Sequence, residues 1–171
     1  MHKGAMTARF GKLNWLWLSL MVFVLDQISK LYFDNSLSMY QQIVIIPDYF
    51  SWTLAYNTGA AFSFLANETG WQRWFFAIVA VAVSAMLLVW MKGLKQHETW
   101  VAIALALVLG GAIGNLFDRV VYGHVIDFIL VHWQQRWYFP AFNLADSAIT
   151  LGAIMLALDM FRSKPSEETG T

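Results

Sequence analysis

Hydrophobic residues of the 171-residue chain fall into four long runs separated by polar segments. The runs cover about residues 13–33, 71–91, 100–121 and 143–161. Each is close to the ~20 apolar residues that a helix needs to cross a hydrocarbon core of about 30 Å. The pattern therefore predicts four transmembrane helices in one domain over residues 1–164, followed by a disordered cytoplasmic tail at 165–171.

The segment between the first two runs has a pattern typical of β-strands. Residues 43–46 (IVII) and 50–56 (FSWTLAY) are rich in β-branched and aromatic side chains, and Pro47 and Asp48 form a turn signal between them. Residues 60–64 (AAFSF) are a third candidate strand. We therefore expect a small extracytoplasmic β-sheet over residues 39–65.

The basic residues predict the orientation of the helices. Residues 34–70 contain no Lys or Arg, whereas the other polar segments carry Lys3, Arg9, Lys12, Lys92, Lys95, Arg162 and Lys164. The positive-inside rule then places both termini in the cytoplasm and residues 34–70 on the outer face. Arg119 and Arg136 fall on the outer side and need local partners.

The first run is too long for a signal peptide and lacks a small-x-small cleavage pattern, so we expect a retained helix.

Composition agrees with a membrane protein and excludes several chemistries. The chain is 58% hydrophobic and 13% charged, whereas soluble domains are about 25% charged. A net charge of zero indicates no nucleic-acid partner. The absence of cysteine excludes disulfides, thiol nucleophiles and thiolate metal sites. The four histidines form no HExxH motif and are divided between the two membrane faces, so we expect no metal and no cofactor.

Three polar clusters in or beside the apolar runs need a physical reason, because a charge costs about 2.5–3.5 kcal/mol at mid-membrane. Asp26 and Lys30 are four residues apart and can pair on one helix face, either as a structural pair or as part of a substrate site. Asn57 either forms a turn or directs its amide at a bound peptide. In LGGAIGNLFDR, Asn115 and Arg119 continue the stripe of Gly111, which pure helix packing also explains.

Two aspartates are the candidates for chemistry. Asp146 begins the fourth run, where the helix dipole stabilises a negative charge. Asp127 lies in VIDFI, and this apolar setting would raise its pKa. If both face one cavity they can share a proton, so that one activates water while the other protonates the substrate. Alternatively, Asp146 is only an N-terminal helix residue and Asp127 a loop residue.

Two functions other than catalysis fit these charges. A proton relay in a transporter needs a continuous polar path, whereas the polar residues here concentrate at the outer end of the runs. A membrane scaffold would explain the glycine stripe and the sheet, but not two acids near the interface.

Five stretches, in this order, resemble the lipoprotein signal peptidase (signal peptidase II) family. They are DQISK (26–30), NTGAAFSF (57–64), GGAIGNLFDR (110–119), VIDF (125–128) and FPAFNLADSAI (139–149). The resemblance implies a four-helix transmembrane bundle with a small β-cradle. It also implies a metal-free aspartyl endopeptidase of the bacterial inner membrane, with its active site near the periplasmic face.

The same resemblance implies a substrate and a set of site residues. The substrate class is a prolipoprotein that carries diacylglycerol on its lipobox cysteine and is cut just before that cysteine. Asp127 and Asp146 would be the catalytic dyad, and the small Gly111 and Ala145 would leave room for the chain. Cyclic peptides such as globomycin would inhibit, and we expect a monomer in contact with membrane lipid. The supporting residues would be Asp26, Lys30, Asn57, Gly111, Asn115, Arg119, Asn143 and Ala145.

Overall fold

The computed structural model describes residues 11–59, 71–134 and 136–162. Within them lie four long helices: α1 (Leu16–Ser36), α2 (Trp71–Gly93), α3 (Thr99–Val121) and α4 (Leu144–Arg162). A short 3₁₀ turn at Leu13–Trp15 leads into α1. All four helices are long and apolar enough to cross a membrane, which confirms the predicted four-helix membrane bundle.

Helix α3 is the centre of the bundle and contacts the other three helices. Its glycines permit close approach, since a Cβ added at Gly110 would lie 2.7 Å from the carbonyl oxygen of Ser19 in α1. In α4, a Cβ at Gly152 would lie 2.6 Å from the carbonyl oxygen of Ala104 in α3. Because lipid tails are as apolar as Leu, this van der Waals packing is a main source of helix association in a membrane.

The outward faces of the helices carry exposed apolar side chains. Leu20 of α1, Ile78 of α2 and Leu151 of α4 are each more than half exposed. In water such a surface would favour aggregation, whereas lipid contact satisfies it. The buried core lies on the opposite side of these helices, around Leu105 and Leu109 of α3.

Four strands form an antiparallel sheet in the order β1 (Gln42–Ile46), β2 (Phe50–Asn57), β3 (Val125–Trp133) and β4 (Trp137–Tyr138). The predicted strands at 43–46 and 50–56 are confirmed as β1 and β2. Strands β3 and β4 were not predicted, and the candidate strand at 60–64 lies outside the described residues. Strand β3 is nearly continuously apolar and follows a membrane helix, so it lacks the alternation that marks a strand with one buried face.

Contacts between β-strands and α1 fix the sheet to one end of the bundle, called here the sheet end. Phe33 near the end of α1 stacks on Phe128 of β3, with ring centroids 4.4 Å apart. Tyr56 of β2 donates a 2.7 Å hydrogen bond to Asp34 of α1. Helices α1 and α3 end here and α4 begins here, so the sheet lies beside the polar residues at these helix termini.

Candidate active site

The two candidate carboxylates come from different elements and meet at the sheet end. Asp127 lies in β3 and is only 2% exposed, whereas Asp146 lies in the first turn of α4. Both accept a hydrogen bond from Asn143. Its Nδ2 donates to Asp127 Oδ1 at 2.7 Å, and its main-chain N–H donates to Asp146 Oδ2 at 3.3 Å. The fold therefore brings the two predicted residues into one polar cluster.

Asn143 has this role because it caps α4. Its side-chain Oδ1 accepts a 2.9 Å hydrogen bond from the main-chain N–H of Asp146, three residues later. In return, the carboxylate of Asp146 accepts a hydrogen bond from the Asn143 N–H, as in a capping box. The local sequence NLAD encodes this reciprocal pair, so starting the helix also orients Asp146.

Asn115 of α3 connects the cluster to the centre of the bundle. Its Nδ2 donates a 2.7 Å hydrogen bond to Asp146 Oδ1. Its Oδ1 accepts from Lys30 Nζ at 2.9 Å and from Asn143 Nδ2 at 3.2 Å. The Lys30 cation thus keeps the amide oxygen on its own side, which leaves the amide nitrogen facing Asp146.

Asn57, the last residue of β2, completes the surroundings of Asp127. Its Nδ2 donates to Asp127 Oδ2 at 3.2 Å, and its Oδ1 accepts a 2.9 Å hydrogen bond from the Gly59 N–H. The turn interpretation is therefore confirmed, whereas the amide is directed at Asp127 and its contact with a bound peptide stays a prediction. Each oxygen of Asp127 now has an amide donor, one from Asn143 and one from Asn57.

The surroundings of Asp127 shift its pKa strongly. Burial is the largest cause and the charge of Asp146 adds to it, and together with the opposing contacts they raise the pKa from 3.8 to about 7. The hydrogen bonds from Asn57 and Asn143 and the charge of Lys30 act in the opposite direction. This confirms the predicted raised pKa of Asp127. A carboxyl with a pKa near 7 can both hold and release a proton at neutral pH.

Asp26 and Lys30 form the predicted ion pair, with Lys30 Nζ 2.8 Å from Asp26 Oδ2. Lys30 forms a second ion pair, also at 2.8 Å, with Asp118 of α3. All three side chains are 0–1% exposed. Asp118 was not among the predicted site residues, although it lies three residues after Asn115 and so shares its helix face.

Arg119 lies beside this cluster and has two local partners, while its Nε is buried without a hydrogen bond. Its Nη1 donates a 3.1 Å hydrogen bond to the main-chain oxygen of Asn115. Its guanidinium carbon lies 5.3 Å from the ring centroid of Phe76 in α2, a cation–π contact. Arg119 therefore connects α2 to α3 next to the candidate carboxylates.

Gly111 and Ala145 pack against each other at the α3–α4 contact. A Cβ at Gly111 would collide with the Ala145 carbonyl oxygen and lie 2.8 Å from Ile149 Cγ1. Ala145 itself is 0% exposed. The expectation that these small residues leave room for a peptide is therefore wrong for Gly111, because α4 already fills the space.

The open space lies on the other side of α4. A cavity of about 630 Å³ has Asp146 and Asn57 among its lining residues. It follows α4 from Asp146 for about two turns, to Ile154. A cavity of this size with mostly apolar walls suits an apolar segment of a ligand. The other lining residues are Phe139, Pro140, Ala141, Phe142, Ser147, Thr150 and Leu151.

These features define a class: a multi-pass membrane protein with two candidate carboxylates, both hydrogen-bonded to one asparagine, at one end of its helix bundle. The model of the Signal peptidase (SPase) II family matches residues 18–162. The chain therefore belongs to the signal peptidase II family of peptidases.

Individual relatives agree with this family. The chain is 76% identical over 160 residues to lipoprotein signal peptidases of Pseudomonas fluorescens and Pseudomonas aeruginosa, covering 94% of this chain and 94% and 95% of theirs. Among solved structures, a bacterial membrane enzyme determined by the in meso method at 2.3 Å superposes with a TM-score of 0.79. It is 26% identical, over 92% of this chain and 93% of that chain. A second, at 1.9 Å, is 28% identical with a TM-score of 0.76, over 88% of this chain and 94% of that chain.

Proposed function

We propose that the protein is an intramembrane aspartyl endopeptidase that removes the signal peptide from diacylglyceryl-modified prolipoproteins. Membership of the signal peptidase II family supports the removal of signal peptides from prolipoproteins. The observation that carries the aspartyl mechanism is the pair Asp127 and Asp146, both hydrogen-bonded to Asn143. The cut falls just before the lipid-bearing cysteine.

In this mechanism the pair shares one proton. The ionised carboxylate takes a proton from water, and the water oxygen attacks the carbonyl carbon of the scissile bond. The protonated carboxyl donates to the substrate, first at the carbonyl oxygen. A proton then passes to the leaving amine as the C–N bond breaks, so one water is consumed. The raised pKa of Asp127 favours that residue as the holder of the shared proton.

The cavity beside Asp146 supports a binding position for the signal peptide. Its lining is largely apolar and follows α4, which crosses the membrane. A hydrophobic signal helix in this cavity would bring the peptide bond at its end to Asp146. The lipid tails of the modified cysteine then extend into the bilayer. Residues assigned to support the site rather than to perform chemistry are Asp26, Lys30, Asn57, Gly111, Asn115, Arg119, Asn143 and Ala145.

The remaining features of the proposal concern location and partners. We place the active site at the periplasmic face of the bacterial inner membrane, with both termini in the cytoplasm and residues 1–164 as one domain. The enzyme is a metal-free monomer that contacts membrane lipid and is inhibited by globomycin-type cyclic peptides. Among the described residues, no group of three His, Cys, Asp or Glu is placed to hold a metal.

Cleavage of a defined precursor tests the proposal. The purified protein is incubated in detergent with a diacylglyceryl-modified prolipoprotein and a chelator, and the products are identified by mass spectrometry. We expect a free signal peptide and a mature protein that begins at the lipid-bearing cysteine. The same precursor without the lipid is the substrate control. Cleavage at another bond, or cleavage only after a metal is added, contradicts the proposal. Proton flux in vesicles without any cleavage would favour a relay.

A further inference from the structure

Asp118 is a fully buried carboxylate of α3 that the mechanism above does not use. Its Oδ1 accepts a 2.8 Å hydrogen bond from Gln27 Nε2. Its Oδ2 lies 2.8 Å from Lys30 Nζ and accepts a 3.2 Å hydrogen bond from the main-chain N–H of Ile126. Ile126 immediately precedes Asp127 in β3, so Asp118 binds the backbone next to a proposed dyad member.

Asp26 makes the equivalent contact to the other half of the dyad. Its Oδ1 accepts a 2.9 Å hydrogen bond from the main-chain N–H of Ala145, which immediately precedes Asp146. Lys30 pairs with both Asp26 and Asp118 at 2.8 Å. One buried cation therefore joins two carboxylates, and each carboxylate fixes the backbone one residue before a proposed catalytic aspartate.

The β-ladder does not anchor Asp127 to the bundle by itself. The pairing of β2 with β3 shifts register between Trp52 and Ala55, and Ala55 is the residue paired with Asp127. Such an irregularity bends a strand and interrupts its hydrogen bonds. The contact from Asp118 to the Ile126 N–H ties this part of β3 to α3, and through Lys30 to α1. On the other side of Asp127, the N–H groups of Phe128 and Ile129 donate to the Phe142 carbonyl, so the Asp118 contact fixes the part of β3 that precedes Asp127.

We propose that Asp118 is a positioning residue for the reaction: it holds Asp127 in reach of Asp146 through the Ile126 N–H and Lys30. This inference rests on the proposed peptidase function. An ion cluster of this kind is not needed for stability alone, because well-packed apolar residues are often as stable as buried ion pairs. Small displacements of catalytic groups, by contrast, can lower a rate about 100-fold.

Two substitutions separate positioning from folding. Asp118→Asn keeps an oxygen that can accept the Ile126 N–H but loses the charge that holds Lys30. Asp118→Glu keeps the charge, so the ion pair and the fold are retained, but displaces the carboxylate by one methylene group. The matched control is Ser19→Ala, which removes a buried 2.8 Å hydrogen bond to the Ala106 carbonyl between the same two helices.

We expect both Asp118 variants to lower kcat by about tenfold or more, with KM changed less than about twofold. The amide of Ile126 should also exchange its hydrogen faster in Asp118→Glu, where the acceptor oxygen is displaced. Ser19→Ala should lower only the unfolding temperature. A folded Asp118→Glu enzyme with wild-type kcat overturns the inference, as does a loss confined to thermal stability. Failure of the wild type to cut the precursor overturns the peptidase function instead, so the two failures are distinguishable.

Discussion

Asn143 Nδ2 donates a 2.7 Å hydrogen bond to Asp127 Oδ1, which joins the residue before α4 to strand β3. Asn143 also exchanges hydrogen bonds with Asp146 as the N-cap of α4. One side chain therefore contacts both proposed catalytic residues. The geometry of the dyad depends on the first turn of α4 being folded, and a membrane helix that is stable throughout provides a rigid support.

The pH dependence of cleavage should report the pKa of Asp127. Because that pKa is raised to about 7, mainly by burial, kcat/KM should fall as pH rises past neutrality and the shared proton is lost. The Asn57 hydrogen bond lowers this pKa, so Asn57→Ala should move the alkaline limb of the profile to higher pH. Tyr56→Phe is the neighbouring control, because its hydroxyl binds Asp34 instead. An alkaline limb that stays in place or moves to lower pH in Asn57→Ala contradicts this account.

Loss of the Lys30 cation should destabilise the bundle. Lys30→Met leaves Asp26 and Asp118 buried with no neutralising charge between them. Breaking a buried ion pair from one side typically costs about 3–5 kcal/mol of unfolding free energy. Unfolding in detergent measures the effect, and Lys92→Met, at an exposed position of α2, is the control. If the two variants have the same unfolding free energy, Asp26 and Asp118 are not a buried pair that needs the Lys30 charge.

A methyl group at Gly111 should separate α3 from α4. The added Cβ of Gly111→Ala would collide with the Ala145 carbonyl oxygen, one residue before Asp146. We expect a loss of about 1–3 kcal/mol in unfolding free energy, as in other overpacked cores, together with reduced cleavage. Gly93→Ala is the matched control, because nothing lies within 4 Å of its added Cβ. If both variants unfold and cleave alike, Gly111 is not at a close helix contact.

Filling the cavity along α4 should weaken precursor binding. Ile154 lines the cavity two turns beyond Asp146, so Ile154→Trp would occupy part of its 630 Å³ without touching the carboxylates. We expect KM for the lipid-modified precursor to rise by about tenfold, with kcat nearly unchanged. Leu158→Trp adds the same bulk to an exposed position one turn further along α4, outside the cavity lining. A similar KM in both variants would show that the signal peptide binds elsewhere.

Hydropathy was enough to predict the bundle, because a membrane helix must satisfy its backbone hydrogen bonds internally and so appears as a long apolar run. The first two strands could also be predicted, since a polar segment with β-branched residues and a Pro-Asp turn stands out between apolar helices. Strand β3 could not, because VIDFILVHW is buried over most of its length and resembles the helix before it. Its pairing with β2, about 70 residues earlier, is a tertiary contact that periodicity does not encode.

The site residues divide in the same way, into those that local spacing predicts and those that depend on tertiary contacts. The Asp26–Lys30 pair and the placement of Asp146 in the first turn of α4 follow from helical spacing and were confirmed. The Asp118–Ile126 contact depends on how α3 meets a strand, and no local pattern marked it. For Gly111 the sequence alone left two interpretations open, close helix packing or room for a peptide. Its neighbour across the helix contact, Ala145, decides in favour of packing.

The most direct test of the aspartyl mechanism compares the wild type with Asp127→Asn and Asp146→Asn on the same lipid-modified precursor. Asparagine keeps the size of each side chain and removes its ability to exchange a proton. We expect each variant to fold and bind the precursor, yet to lose at least about 100-fold in kcat. Undiminished cleavage by either folded variant would contradict the account, because that carboxylate could then be neither the acid nor the base.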